Sequence, residues 1–262
     1  MIRSLYTGAT GMQAQQLNID NISNNLANVN TIGFKKAEIQ FQDLIYQTLT
    51  EAGSATSYGI NTPTELTVGV GVKPISSQKS FSQGTLNATG NPLDMAVNGD
   101  GFFKVVNGEG EIFYTRDGSF KLNKDGRLVN ANGYFLDPEI SFPADTEEVQ
   151  ISKDGIVFAK IYGSVETEEI GQLELAGFVN PAGLKSLGGN LFAETSASGE
   201  AIAGTPGSER FGTIEQGYTE ASNVSVVQEM VKMISAQRAY DLNSKSVKTA
   251  GEMIQTALGL KR

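Results

Sequence analysis

A chain of 262 residues with 39% apolar and 8% aromatic content holds enough apolar surface for an ordinary globular core. Its 29 acidic residues outnumber 20 basic ones, and a net charge of -9 works against binding to nucleic acid or anionic membranes. With no Cys and no His, disulfides, thiolate nucleophiles, soft-metal sites and the commonest general base are excluded; carboxylate or Ser/Lys chemistry and oxygen-ligated calcium remain open.

No segment has the continuous apolar run of a secretory signal or a membrane span. All seven prolines lie between Pro63 and Pro206, so both ends are free of the strongest helix breaker. In the first segment Leu5, Met12, Ile19 and Leu26 recur at seven-residue spacing, with Gly8, Gln15, Ile22 and Val29 three positions after each. This seam predicts a long helix, ended by the Asn-rich stretch Asn24 to Asn30 and stopped at Gly33. Residues 46–72 lack either periodicity in their first half and read as an extended loop or hairpin insert.

Short β-branched and aromatic runs then alternate with turn signals. Strands are expected at 102–106, 112–115, 119–122, 128–129, 156–161 and 173–178. Hairpin turns are expected at Asn107-Gly108, Asp117-Gly118, Asp125-Gly126, Asn132-Gly133 and Asp154-Gly155. The last segment repeats Val226, Met233, Tyr240, Val247 and Ile254 at seven, with Met230, Gln237, Ser244, Gly251 and Leu258 four positions after each. A second long helix follows, capped by Ser222 or Asn223. The fold class expected is mixed α and β: long terminal helices paired as a coiled coil, with a central all-β domain forming a sandwich or partly open barrel. Two such helices leave Leu17, Val227, Ile234 and Leu242 off the main seams, and those positions call for neighbours from other subunits.

Catalytic and metal motifs fail on spacing. Gly69/Gly71, Gly99/Gly101 and Gly108/Gly110 do not complete GxGxxG, and the segment from Leu93 to Gly101 lacks the alternating carboxylates and closing Glu of a calcium loop. Acidic residues are plentiful, and a pair such as Asp117 and Asp125 fits the two-carboxylate requirement of a glycosidase, but each sits in an Asp-Gly turn, which Asp favours for structural reasons. No cofactor, metal or catalytic residue is expected.

The run Asn21-Ile22-Ser23-Asn24-Asn25-Leu26-Ala27-Asn28-Val29-Asn30-Thr31-Ile32-Gly33-Phe34-Lys35 resembles the signature of the flagellar rod and hook axial proteins. The blocks Asn91 to Phe103, Tyr114 to Phe120 and Gly217 to Ser244 resemble the same family, so the likeness spans essentially the whole chain. In length the chain is similar to rod members, and its insert and its ending Gln216 to Val224 look like the distal rod type. Within the signature, Asn24, Asn25, Leu26, Ala27, Asn28, Gly33 and Phe34 are the marked positions.

The resemblance implies a nested architecture. Residues 1–33 and 220–262 form paired helices of an inner tube, 34–75 and 209–219 a connecting region carrying the insert, and 76–208 an outer β domain. It implies a non-enzymatic subunit that polymerises helically into a straight drive shaft transmitting motor torque to the hook. The inner-tube contacts would come from Leu5, Met12, Ile19, Ile22, Leu26, Val29, Val226, Met233, Tyr240, Val247 and Ile254. Stiffening is expected from the insert, at Tyr46, Tyr58, Pro63 and Leu66. The implied partners are copies of itself, proximal rod proteins, hook protein, the bushing P-ring and L-ring proteins, a rod-cap muramidase and the flagellar type III export apparatus, which needs no cleavable signal. The implied location is the basal body from periplasm to outer membrane. The rival readings are a proximal rod subunit and, from another class, a secreted carbohydrate-binding or adhesin module on a helical stalk.

Overall fold

The computed structural model describes residues 2–52, 64–163, 167–208 and 210–259. The chain combines α and β structure in two compact units, one of Met1–Ala27, Ala37–Gln78 and Ser225–Arg262, the other of Asn28–Lys36 and Lys79–Val224. Both are discontinuous in sequence.

The first, helical unit holds α1 (Ile2–Ala27) and α2 (Val226–Gly259). It also holds two ribbons, β1 (Ala37–Asp43) with β4 (Val72–Lys79), and β2 (Gln47–Thr50) with β3 (Leu66–Val68). The 34 residues of α2 span roughly 50 Å at about 1.5 Å per residue. Among the described residues no helix is both long and apolar enough to cross a membrane. The β2–β3 ribbon is antiparallel, with Gln47 opposite Val68, so the described edges of the 46–72 insert form a hairpin stem.

The second, sheet unit contains β5 (Leu86–Ala88), β6 (Met95–Asn98), β7 (Phe102–Val106), β8 (Ile112–Thr115), β9 (Lys121–Leu122), β10 (Leu128–Val129), β11 (Phe135–Asp137), β12 (Thr146–Ile151), β13 (Ile156–Ile161), β14 (Thr167–Gln172), β15 (Leu175–Gly177), β16 (Lys185–Gly188), β17 (Leu191–Ala193), β18 (Ile202–Gly204), β19 (Thr213–Gln216) and β20 (Tyr218–Glu220). Strand β7 is its hub. One edge pairs with β8, while the other is shared, with Lys104 to Val106 facing β11 and Phe102 and Phe103 facing β15. Because side chains alternate along a strand, Phe103 and Val105 enter the larger core with Phe120, Leu128, Leu136 and Ile214, whereas Phe102 enters a smaller one with Tyr114, Ala176 and Phe192.

Four turns in this unit share one hydrogen-bond scheme. The amide of Asn107, Asn123, Asn130 or Ser152 donates to the carbonyl four residues on, and the carbonyl of each accepts from a glycine three residues on. Those glycines, Gly110, Gly126, Gly133 and Gly155, all have positive φ. The three asparagine side chains also accept from the amides two and four residues later. These are three-residue connections with a left-handed glycine, and they correct two expectations. In the first hairpin the key residue is Gly110, since Gly108 is not in the positive-φ region. Asp117-Gly118 makes no hairpin: Gly118 accepts the Met95 amide at 3.0 Å, and a Cβ on it would lie 1.5 Å from the Met95 carbonyl oxygen.

Two further expectations are corrected. Helix α1 stops at Ala27, six residues before Gly33, because Asn25 is committed to the start of β1 and the chain turns from Asn28. Helix α2 begins at Val226, where Glu229 N donates to Ser225 O. Asn223 does not cap it; its side chain holds Lys36 N at 2.8 Å and the Ser80 carbonyl at 2.8 Å.

The shared turn yields a contrast. Gly110→Ala has open space and should cost only the left-handed backbone term, about 1–2 kcal/mol. Gly126→Ala should cost clearly more in urea denaturation, because its Cβ would also lie 2.3 Å from the Phe142 carbonyl oxygen.

Candidate assembly site: the helix pair and its anchors

Small residues set the approach of the two helices. A Cβ on Gly8 would lie 2.6 Å from Val247 Cγ2, and one on Gly11 would lie 2.8 Å from Asn243 Nδ2. Asn25 meets Glu229 at the other end of the pair, so the helices run antiparallel. On α1 the inward positions are Gly8, Ala14, Ile22 and Asn25; on α2 they are Glu229, Ala236 and Ala250. The inner line of α2 therefore lies one residue before the expected Met230, Gln237 and Gly251. A search for apolar side chains passes over small and polar residues at a close crossing.

The predicted inner-tube residues divide by burial within one protomer. Ile22 is buried. Leu5, Met12, Ile19, Leu26, Val29, Met233, Val247 and Ile254 are half-buried, while Val226 and Tyr240 are exposed. Of the insert residues, Tyr46 and Leu66 are exposed, and Tyr58 and Pro63 lie outside the described residues. In the family signature Asn25 and Gly33 are buried, Leu26, Asn28 and Phe34 half-buried, and Asn24 and Ala27 exposed.

Asn25, only 1% exposed, is the polar centre of the helical unit. Its Nδ2 donates to Ala37 O at 2.9 Å and Glu229 Oε2 at 3.3 Å, and its Oδ1 accepts from Ala37 N at 3.0 Å. Asn21 Nδ2 adds a second bond to Ala37 O at 2.7 Å. Lys232 bridges Glu229 at 3.3 Å and Glu38 at 3.0 Å. Burial works against the charge of Lys232, yet the two carboxylates outweigh it and raise its pKa. These bonds tie α1, α2 and the start of β1 in one register.

The sheet unit has its own buried anchor. Glu220 accepts from Lys35 Nζ at 2.6 Å, from Gly84 N at 2.8 Å and from Arg116 Nη1 at 3.5 Å, with all three side chains almost fully buried. Lys35 Nζ also reaches Ser82 O at 2.8 Å, and Arg116 Nη2 reaches Gly99 O at 2.8 Å. Burial lowers the pKa of both cations, and Glu220 offsets part of that penalty. Gly33 packs beside this cluster at φ +68, where a Cβ would lie 2.7 Å from Asp117 N, so only glycine fits. The sequence offered no signal for this triad beyond its membership in the family-like blocks, since a lone Lys, Arg or Glu reads as a surface residue.

Asp117 and Asp125 occupy turns. Asp117 Oδ1 accepts from Ser119 N and Oγ, and Asp125 N is held by Asn123 Oδ1. No cluster of carboxylates able to hold a metal ion occurs among the described residues.

Asn25→Ala strips partners from Ala37 and Glu229 and should cost about 3 kcal/mol in chemical denaturation. Glu220→Ala leaves two buried cations unpaired and should cost about 3–5 kcal/mol, whereas replacing Lys35, Arg116 and Glu220 together with apolar residues of similar volume should cost far less.

Residues 5–35 match the family described as flagella basal body rod protein, 96–159 the flagellar hook protein FlgE/F/G D1 domain, and 215–260 the flagellar basal body rod FlgEFG protein C-terminal. The chain is 49% identical over 255 residues to the flagellar basal-body rod protein FlgG of Buchnera aphidicola subsp. Schizaphis graminum, covering 97% of this chain and 98% of that one. It is 48% identical to the FlgG of Borreliella burgdorferi and 38% identical to that of Bacillus subtilis, each across 100% of both chains. On full-length identity, with matches in the segments of both helices and in the sequence that separates them, this chain belongs to the flagellar basal-body rod protein family, a family of structural proteins and not of enzymes.

Proposed function

We propose that this chain is the subunit of the distal rod, polymerising through its terminal helices into a straight, rigid shaft that carries motor torque to the hook. The supporting observation is the apolar surface that the helix pair leaves uncovered. Leu17, Val227, Met230, Val231, Ile234, Leu242 and Met253 are all exposed large apolar residues on the two helices, Val227 at 73%. At roughly 25 cal/mol per Å² such side chains gain by contact with a neighbour. Leu5, Met12, Ile19, Leu26, Val29, Met233, Val247 and Ile254, half-buried in one protomer, would complete their burial in the inner tube, with Ile22 already covered and Val226 and Tyr240 turned to the neighbour.

In this reading the helix pair is the coiled-coil element, residues 76–208 form the outer β domain as a sandwich or partly open barrel, and 34–75 with 209–219 connect them. Copies of the chain are its first partners. Proximal rod proteins and the hook protein meet the two ends of the shaft; the P-ring and L-ring proteins surround it, and a rod-cap muramidase precedes it through the cell wall. Export proceeds through the flagellar type III apparatus. The exposed Tyr46 and Leu66, with Tyr58 and Pro63, supply lateral contacts that resist bending.

Imaging rotary structures from a strain lacking this gene should show axial shafts that stop short of the outer membrane and carry no hook; full-length shafts there would refute the reading. Removing 46–72 should leave a polymer that curves, and a straight rod in micrographs would remove the stiffening role.

A further inference from the structure

The sheet unit contains a cavity of about 260 Å³ with apolar walls from Phe102, Phe178 and Val179 and charged lining from Asp100, Arg116 and Arg210. Its charges do not balance. Lys35 and Arg116 share Glu220, and Asp100 acts on both, so with Arg210 three cations meet two carboxylates among the described residues. Arg210 is exposed and pairs with no carboxylate among the described residues. Arg116 Nε is buried with no acceptor, the only such side-chain atom among them. Val179, 74% exposed, leaves the mouth of the cavity apolar.

The same unit carries the opposite chemistry on its three-stranded sheet. β14 is an edge strand in which Glu168 and Glu169 are exposed and have no ion-pair partner among the described residues. Glu169 lies opposite Phe158, on the face of the sheet away from the buried Val157 and Ala159. Tyr162, between β13 and β14, is 81% exposed. An acidic edge alone is an ordinary guard against strand pairing. A bare tyrosine and an unpaired carboxylate on the same three-stranded sheet add the two groups that an aromatic cavity lined by Arg210 lacks.

We propose that this cavity is a contact site between copies of the chain, in which Tyr162 of one copy packs against Phe178 and Val179 of the next and Glu169 pairs with Arg210. The partner is a second copy because the chain's own surface offers the complement and its net charge of -9 makes a cationic pocket a rare landing place on it. The inference rests on the assembly reading and adds a contact outside the helices.

The test is the critical concentration for sedimentable polymer of purified full-length protein. Arg210→Glu should raise it about tenfold, and adding Glu169→Arg should bring it back near the wild-type value. Because the chain has no cysteine, Tyr162→Cys with Val179→Cys should give an oxidised ladder of linked subunits that neither single variant gives. An unchanged value for Arg210→Glu, no recovery in the charge swap, or only monomer from sedimented double-cysteine polymer overturns the contact while leaving the assembly reading intact. Wild-type protein that never sediments sinks both.

Discussion

Between the end of α1 and the start of β1 the backbone makes local turn bonds from Thr31 N to Asn28 O and from Phe34 N to Thr31 O, and distant residues hold several of its other groups. Ile32 O accepts from Asn190 Nδ2, and Gly33 N donates to Glu220 O. Phe34 O accepts from Asn223 N, Lys36 N donates to Asn223 Oδ1, and Lys36 O accepts from Ser80 N. Asn25 closes the stretch by taking both the amide and the carbonyl of Ala37. A buried backbone group left unpaired costs as much as a lost hydrogen bond, so this stretch has a fixed path only when residues from late in the chain are in place. That requirement explains why a signature of short polar residues and glycine is found where the long helix α1 ends.

The same economy of size governs the helix pair. Gly8 and Gly11 bring the helices close at one end of the pair, and the buried contact at the other end is polar at Asn25 and Glu229. Small and polar residues facing inward leave most of the large apolar side chains of α2 facing outward. An isolated protomer thus spends its hydrophobic capacity on the outside, as a subunit bound for burial among neighbours does. Specific register comes from the hydrogen-bonded pair, while the aliphatic face stays exposed in the single protomer.

Much of this was legible in the sequence. Freedom from proline and seven-residue recurrence located both helices, and β-branched runs located β7, β8, β10 and β13. The boundaries were not legible, because Asn25 and Asn223 look like helix caps until their actual partners, Ala37, Lys36 and Ser80, are known. β1 and β4 escaped notice because they are polar ribbons, with alternating half-buried and exposed residues in AEIQFQD and mostly exposed ones in VKPISSQK. The Lys35, Arg116 and Glu220 triad was invisible for a different reason: nothing in a linear sequence distinguishes a charge that will be buried from one that stays solvated. The most buried line of α2 was displaced by one residue because Glu229, Ala236 and Ala250, small or polar, fit a close crossing better than the larger side chains beside them.

Both units are assembled from segments far apart in sequence, and each draws on the last 50 residues: α2 in one, β19 and β20 with Glu220 in the other. The four glycine turns, by contrast, are closed by residues only four apart. A polypeptide emerging from its N-terminus can close those turns early, since short loops form fastest. Neither unit can be completed until the final stretch is present, so a chain lacking it holds only local hairpins, and the topology itself postpones the finished fold to the arrival of the last segment.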